Sequence, residues 1–255
     1  MGQLDGKVAI VTGGGTNIGK SIALAMAKEG AKLALAARRE ALLREVASEI
    51  VASGGEAIAV KVDITDKGQV EALGKTVIDA FGRIDVLVAN AAYLTVQIPF
   101  LEVAADELDR MINTNLKGTF FCCQMAARYM IQGGRGGSLI TISSGQGLMP
   151  IPGSPHYSAT KGAIIALTRS LAAELGPFGI RVNCIAAGLT QKENWKISPQ
   201  AKEALERQTA LRRIGAPADY GGIAVLLASD ASSYITAATI PVDGGVTSCR
   251  SDIPV

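Results

Sequence analysis

Histidine occurs once, at position 156, and the four cysteines (Cys122, Cys123, Cys184 and Cys249) have no paired metal spacing. These residues offer no zinc-type site, and the thiols read as reduced and mostly buried. Aromatic residues make up only 4% of a chain that is 48% hydrophobic and carries 29 glycines, so the core is expected to be aliphatic, with close backbone approaches. Formal net charge is +2, and no run of Lys and Arg is interleaved with aromatics, which argues against a nucleic-acid partner. No uninterrupted apolar run approaches the roughly 18 residues of a membrane span. The opening MGQLDGKVAIVTGGG lacks the basic stretch and long apolar core of a secretion signal, and Gly6 stands where N-myristoylation wants Ser or Thr. The expectation is a cytoplasmic protein without a membrane partner.

What is present is a rhythm. Short aliphatic and β-branched runs (KVAIVT, KLALAA, AIAVKV, DVLVAN, SLITIS, RVNCIA, ATIPV) alternate with helical patterns: one to Glu29, one from Glu40, one from Asp66 to Phe81, a long one to Met130, one through Tyr157, and one opening near Pro217. No low-complexity segment or fixed-period repeat interrupts it. Seven strands separated by helices predict an α/β, doubly wound parallel sheet with helices on both faces, in one domain over residues 1–255. Ligands of such sheets bind beyond the carboxyl ends of the strands, where strand order reverses.

The residues after each strand are therefore the informative ones. Thr12-Gly13-Gly14-Gly15-Thr16-Asn17-Ile18-Gly19 is a glycine-rich turn feeding a helix N-terminus, which suits a pyrophosphate, although such turns also occur as plain tight turns. The generic G-x-G-x-x-G fingerprint is not met, because Ile18 stands where the third glycine belongs. No acid closes the second strand before Glu40; Ala36-Ala37-Arg38-Arg39 stands there instead. Arg38, with Arg39 helping, fits a 2′-phosphate and so NADP(H), the alternative being the solvated start of the next helix. Asp63 either accepts from an adenine amino group or starts a turn, with Ile64 beside it; Asn90 and Ala91, followed by Ala92, bring a small, polar stretch to the same edge.

Tyr157 and Lys161 are four residues apart in a helical pattern and so share one face. A phenol ionises near pH ~10, and a cation held beside it favours the phenolate. Ser144, closing the run SLITISS, places a hydroxyl where it can bond the same substrate oxygen. On its own the Tyr-x-x-x-Lys pair is also compatible with an ordinary surface contact.

Taken in order, these motifs make the chain resemble the short-chain dehydrogenase/reductase family from Gly6 to Gly245. Thr12, Gly13 and Gly19 match its glycine pattern, with Asn17 in the place of the middle glycine; Asn90-Ala91-Ala92 looks like its Asn-Asn-Ala-Gly segment; Asn115 in MINTNLKGTF matches its helix asparagine; and Ser144 lies thirteen residues before Tyr157. Its Pro-Gly is Ala187-Gly188 here, followed by Thr190, and Pro241-Val242-Asp243-Gly244-Gly245 also fits. The resemblance implies a tetrad of Asn115, Ser144, Tyr157 and Lys161, with Asn115 kinking its helix and holding a relay water. It implies hydride transfer between NADP(H) and a carbonyl or secondary alcohol, with Tyr157 as proton donor in reduction. Ser144 would polarise the substrate oxygen, Lys161 would hold the ribose and lower the tyrosine pKa, and Gly188 and Thr190 would face the nicotinamide.

Residues 189–214 would form a substrate lid, with Trp195 as an apolar contact, while Gln146, Gly145, Ile151, Leu94 and Gln97 line the pocket. His156 is expected to line the approach or face solvent. A homotetramer is the assembly the resemblance implies, and the helix through Tyr157 carries a small-residue stripe (Ala159, Ala163, Ala166, Ser170, Ala173) that would suit it. A non-catalytic NADP(H)-binding regulator or redox sensor is the alternative, since Asn17 and Ala187 depart from the pattern.

Overall fold

The computed structural model describes residues 2–95, 97–191 and 195–249. The strands are β1 (Val8–Thr12), β2 (Lys32–Ala37), β3 (Ala57–Lys61), β4 (Val86–Ala89), β5 (Gly137–Ser144), β6 (Ile180–Ala187) and β7 (Thr239–Val242). They form one seven-stranded sheet in the order β3-β2-β1-β4-β5-β6-β7, and every pairing is parallel. The order reverses between β1 and β4, which places the ligand crevice beyond Thr12 and Ala89.

Side-chain alternation explains why the sheet is covered on both faces. In β1, Ala9 and Val11 join one aliphatic cluster and Val8 and Ile10 the other; Leu33/Leu35 against Ala34/Ala36 and Val86/Val88 against Leu87/Ala89 repeat the division. The first cluster is closed by α1 (Asn17–Lys28), α2 (Glu40–Ala52) and α8 (Gly221–Ala228) through Ile22, Met26, Leu43, Ile50 and Leu227. On the other face, Val70, Leu73 and Val77 of α3 (Lys67–Phe81), Cys122 to Met130 of α5 (Thr119–Gly133), and Leu175 of α6 (Pro155–Leu175) complete the second. Period-2 strands whose two sides are both apolar are what an interior parallel sheet requires.

Local chemistry fixes the helix ends. Asp66 caps α3 by accepting from the amides of Gly68 and Gln69, and Gly82 ends it in the left-handed conformation at φ 77°. Two features bear on function. The long helix expected to reach Met130 with a kink at Asn115 is interrupted around that residue: α4 (Ala105–Met111) passes into a seven-residue π-helical segment, Ile112–Gly118, before α5 begins. Within the expected lid, Ser198 caps a further helix, α7 (Pro199–Arg207), while residues 192–194 lie outside the described residues.

Candidate active site

The glycine turn after β1 is closed by side chains from β4. Thr12 Oγ1 accepts from the amides of Asn90 and Ala91 at 3.0 Å each, and Asn90 Nδ2 donates to the Thr12 carbonyl at 2.9 Å and weakly to that of Gly13. Gly13 has φ 67°. A Cβ on Gly19 would lie 2.2 Å from the Gly13 carbonyl oxygen, so only glycine lets α1 start this close to β1. Asn17 occupies the left-handed region at φ 48°, the conformation that asparagine tolerates best after glycine. Gly15 has a different neighbour from the one expected: its Cβ position faces Leu42 and Leu43 of α2, away from the crevice.

A crevice of about 460 Å³ runs along this edge, lined by Gly13, Asn17, Ile18, Gly19, Arg38, Arg39, Asp63, Ile64, Asn90, Ala91, Tyr157 and Lys161 among others. The two arginines at the end of β2 lie in it without a carboxylate partner among the described residues, Glu40 being engaged by Arg44. The Asp63 carboxylate accepts from the amide and hydroxyl of Thr65 at 3.0 and 2.8 Å, which is the turn-starting role.

At the far end of the crevice the polar side chains converge. Lys161 is buried, and its ammonium donates to the Ile142 carbonyl at 2.9 Å, 5.7 Å from the Tyr157 ring centroid. Burial pulls the Lys161 pKa down to about 8. The expected lowering at Tyr157 does not occur. Burial pushes its phenol up, the Ser144 hydrogen bond opposes that, and desolvation wins. Of the two adjacent serines, Ser144 bonds Tyr157 and accepts from the Gln146 amide at 3.1 Å, whereas Ser143 is turned to the Lys161 carbonyl. Asn115, fully buried in the π-helical segment, accepts from the Tyr93 amide at 2.6 Å and donates to the Tyr93 carbonyl at 3.0 Å and towards Thr160.

Other expected residues lie apart. Thr190 Oγ1 bonds Tyr220 Oη at 2.6 Å and the Gly188 carbonyl at 3.0 Å, so its hydroxyl is already engaged. Trp195 is half-buried and outside the crevice lining, and Gln146 Oε1 accepts from Ser158. His156 is a correction: it is 4% exposed, and neither ring nitrogen has a hydrogen-bond partner, because it sits on the inner face of α6 one turn before Thr160. Sequence reasoning missed the Ile142 carbonyl, Tyr93 and Thr12. Of these, only Thr12 carried a signal, standing next to Gly13 in the glycine-rich motif.

A family model described as enoyl-(acyl carrier protein) reductase matches residues 14–247. The chain belongs to the short-chain dehydrogenase/reductase family. It is 37% identical over 250 residues to an L-rhamnose 1-dehydrogenase (NAD(P)(+)) of a Sphingomonas species, covering 96% of this chain and 98% of the relative. It is 39% identical over 242 residues to a 3-oxoacyl-[acyl-carrier-protein] reductase FabG of Staphylococcus aureus, covering 94% and 98%. A short-chain type dehydrogenase/reductase from Mycobacterium marinum superposes with a TM-score of 0.89 at 39% identity, covering 96% of this chain and 97% of the other. A putative short-chain alcohol dehydrogenase from Sinorhizobium meliloti gives 0.92 at 35%, covering 97% and 98%. This short-chain dehydrogenase/reductase is thus an oxidoreductase of a family that uses nicotinamide cofactors and small-molecule substrates. No helix among the described residues is long and apolar enough to cross a membrane.

Proposed function

We propose that this chain is an NADP(H)-dependent carbonyl reductase, interconverting a ketone and a secondary alcohol. The observation that carries the reading is that Tyr157 and Lys161 line the same crevice as Arg38 and Arg39, which have no carboxylate partner among the described residues. The donor set fits a dinucleotide phosphate. Gly19 lets the start of α1 sit close against Gly13, where its amides are offered to the pyrophosphate, and Arg38 with Arg39 offers paired donors to a 2′-phosphate.

A nicotinamide held in the crevice would supply or accept a hydride. Tyr157 gives its proton to the carbonyl oxygen in reduction and recovers it in oxidation, while Ser144 donates a hydrogen bond that polarises that oxygen. The phenol raised by burial stays protonated at neutral pH, which suits the acid role. Lys161, held on the Ile142 carbonyl, keeps two further N–H donors for a ribose hydroxyl and supplies positive charge as proton density leaves Tyr157. Asn115 fixes the backbone at Tyr93, beside the crevice-lining Ala92 and Leu94.

In this reading residues 1–255 act as one domain, residues 189–214 serve as the lid, and the enzyme is cytoplasmic. The exposure of Ala159, Ala166, Ser170 and Ala173 along α6 supports a homotetramer built on that helix. Fluorescence titration with NADPH and NADH, followed by a carbonyl screen, tests the function. Preferential NADPH binding with NADPH-dependent reduction supports it, and binding of neither nucleotide overturns it.

A further inference from the structure

Two segments adjoin Ser144 and Tyr157 in the chain or the crevice. Residues 91–95 and 97–98 follow β4, with Ala91, Ala92 and Leu94 lining the crevice beside Tyr157, and residues 145–153 join Ser144 to α6. They are tied to each other where the Ile98 amide donates to the Gly153 carbonyl at 2.8 Å and Gln97 covers Gly153. The second is seated on the catalytic helix, since a Cβ at Gly147 would lie 2.8 Å from the Lys161 backbone.

These walls carry no Asp, Glu, Lys or Arg anywhere in residues 91–101 or 145–155. Four of their apolar side chains stand open: Leu94 at 48%, Met149 at 46%, Leu148 at 40% and Ile151 at 39% exposure. Their polar side chains are few. The Tyr93 hydroxyl bonds Glu107 and Arg110 and Gln146 Oε1 accepts from Ser158, so among the described residues Thr95, Gln97 and the Gln146 amide nitrogen are left to meet a substrate hydroxyl. A ligand rich in hydroxyls would leave many of them unpaired when it displaced water here, whereas an apolar ligand would cover the open leucines, methionine and isoleucine.

We infer that the substrate is an uncharged, predominantly apolar ketone, or the secondary alcohol derived from it, and not a polyhydroxylated sugar. The inference rests on the proposed reaction. One hydride from NADPH adds to the ketone carbon and one proton from Tyr157 to its oxygen, giving the alcohol and NADP⁺, and solvent restores the tyrosine proton. The walls select the groups flanking that carbon by burying alkyl or aryl surface against Leu94, Leu148, Met149 and Ile151.

The test is steady-state reduction of butanone, pentan-2-one, hexan-2-one, heptan-2-one and acetophenone with NADPH, beside oxidation of L-rhamnose and sorbitol with NADP⁺, by the full chain. The expected result is a kcat/KM that rises about fourfold per added methylene. Met149→Asp and Ile151→Asp should raise KM for heptan-2-one about tenfold while NADPH affinity is unchanged. A flat ketone series, or a sugar turned over with higher kcat/KM than heptan-2-one, overturns the inference and leaves the oxidoreductase reading standing. No turnover of any compound by protein that binds NADPH removes the reaction and the inference together.

Discussion

Asn115 grips Tyr93 by both ends of its peptide unit: Oδ1 accepts from the Tyr93 amide at 2.6 Å and Nδ2 donates to its carbonyl at 3.0 Å. The grip is available because the π-helical segment Ile112–Gly118 rotates Asn115 inward, where it is fully buried. Asn115→Leu keeps the number of side-chain heavy atoms but strands two part-buried backbone groups, at about 1–3 kcal/mol each. Thermal denaturation is expected to show a loss of about 2–6 kcal/mol together with slower reduction. An unchanged melting temperature would mean that the Tyr93 loop holds without the clamp.

Arg38 distinguishes the two nicotinamide nucleotides. Charge-assisted hydrogen bonds to a phosphate contribute about 1.5–3 kcal/mol, so Arg38→Ala is expected to weaken NADPH binding about ten- to a hundredfold and leave NADH nearly unaffected. Fluorescence titration of both nucleotides reads the difference. Equal weakening of both would remove the 2′-phosphate assignment.

Gly19 predicts the opposite pattern. A methyl group there would overlap the Gly13 carbonyl oxygen and Asn90 Nδ2 at 2.2 and 2.5 Å, and both belong to the closed turn. Gly19→Ala should therefore weaken NADPH and NADH alike by more than about tenfold, because the shared pyrophosphate site is displaced. Calorimetric titration that finds normal affinity would show that the turn relaxes at little cost.

Lys161 sets the pH dependence. Its pKa is lowered by burial from the ordinary 10.5 to about 8, so between these values the unfolded chain holds a proton that the folded chain has lost. Stability therefore rises with pH through that window, and the burial penalty is fully present below it. Catalysis follows the reverse course. The ammonium is lost above pH ~8, so kcat/KM for reduction should fall with an apparent pKa near 8. Lys161→Met should be slow and without this limb. A wild-type profile flat to pH ~10 would show that the ammonium is not required.

The strands were legible because each is a short β-branched or aliphatic run whose alternate residues enter opposite clusters, as Ala9/Val11 and Val8/Ile10 do. Ser144 was singled out through its spacing to Tyr157, and its hydroxyl accepts from the Gln146 amide at the end of β5. What escaped depends on depth and direction. A four-residue interval places Lys161 beside Tyr157 but says nothing of how far both are buried, and burial is what reverses the expected shift of the phenol. His156 likewise falls on the inner face of α6 by one helical step from Tyr157, a difference that polarity alone misplaces at the surface. Thr190 was assigned from the chain neighbouring Gly188, without the knowledge that Tyr220 takes its hydroxyl.

The central claim, that Tyr157 transfers the proton in an NADPH-dependent reduction, is tested most directly by Tyr157→Phe. NADPH binding, followed by fluorescence, should be retained within a few-fold, because Arg38 and the Gly13–Gly19 turn are untouched. Reduction of a ketone that the wild type turns over should fall by about 100-fold or more. Wild-type turnover by Tyr157→Phe would contradict the account and move the acid to another group.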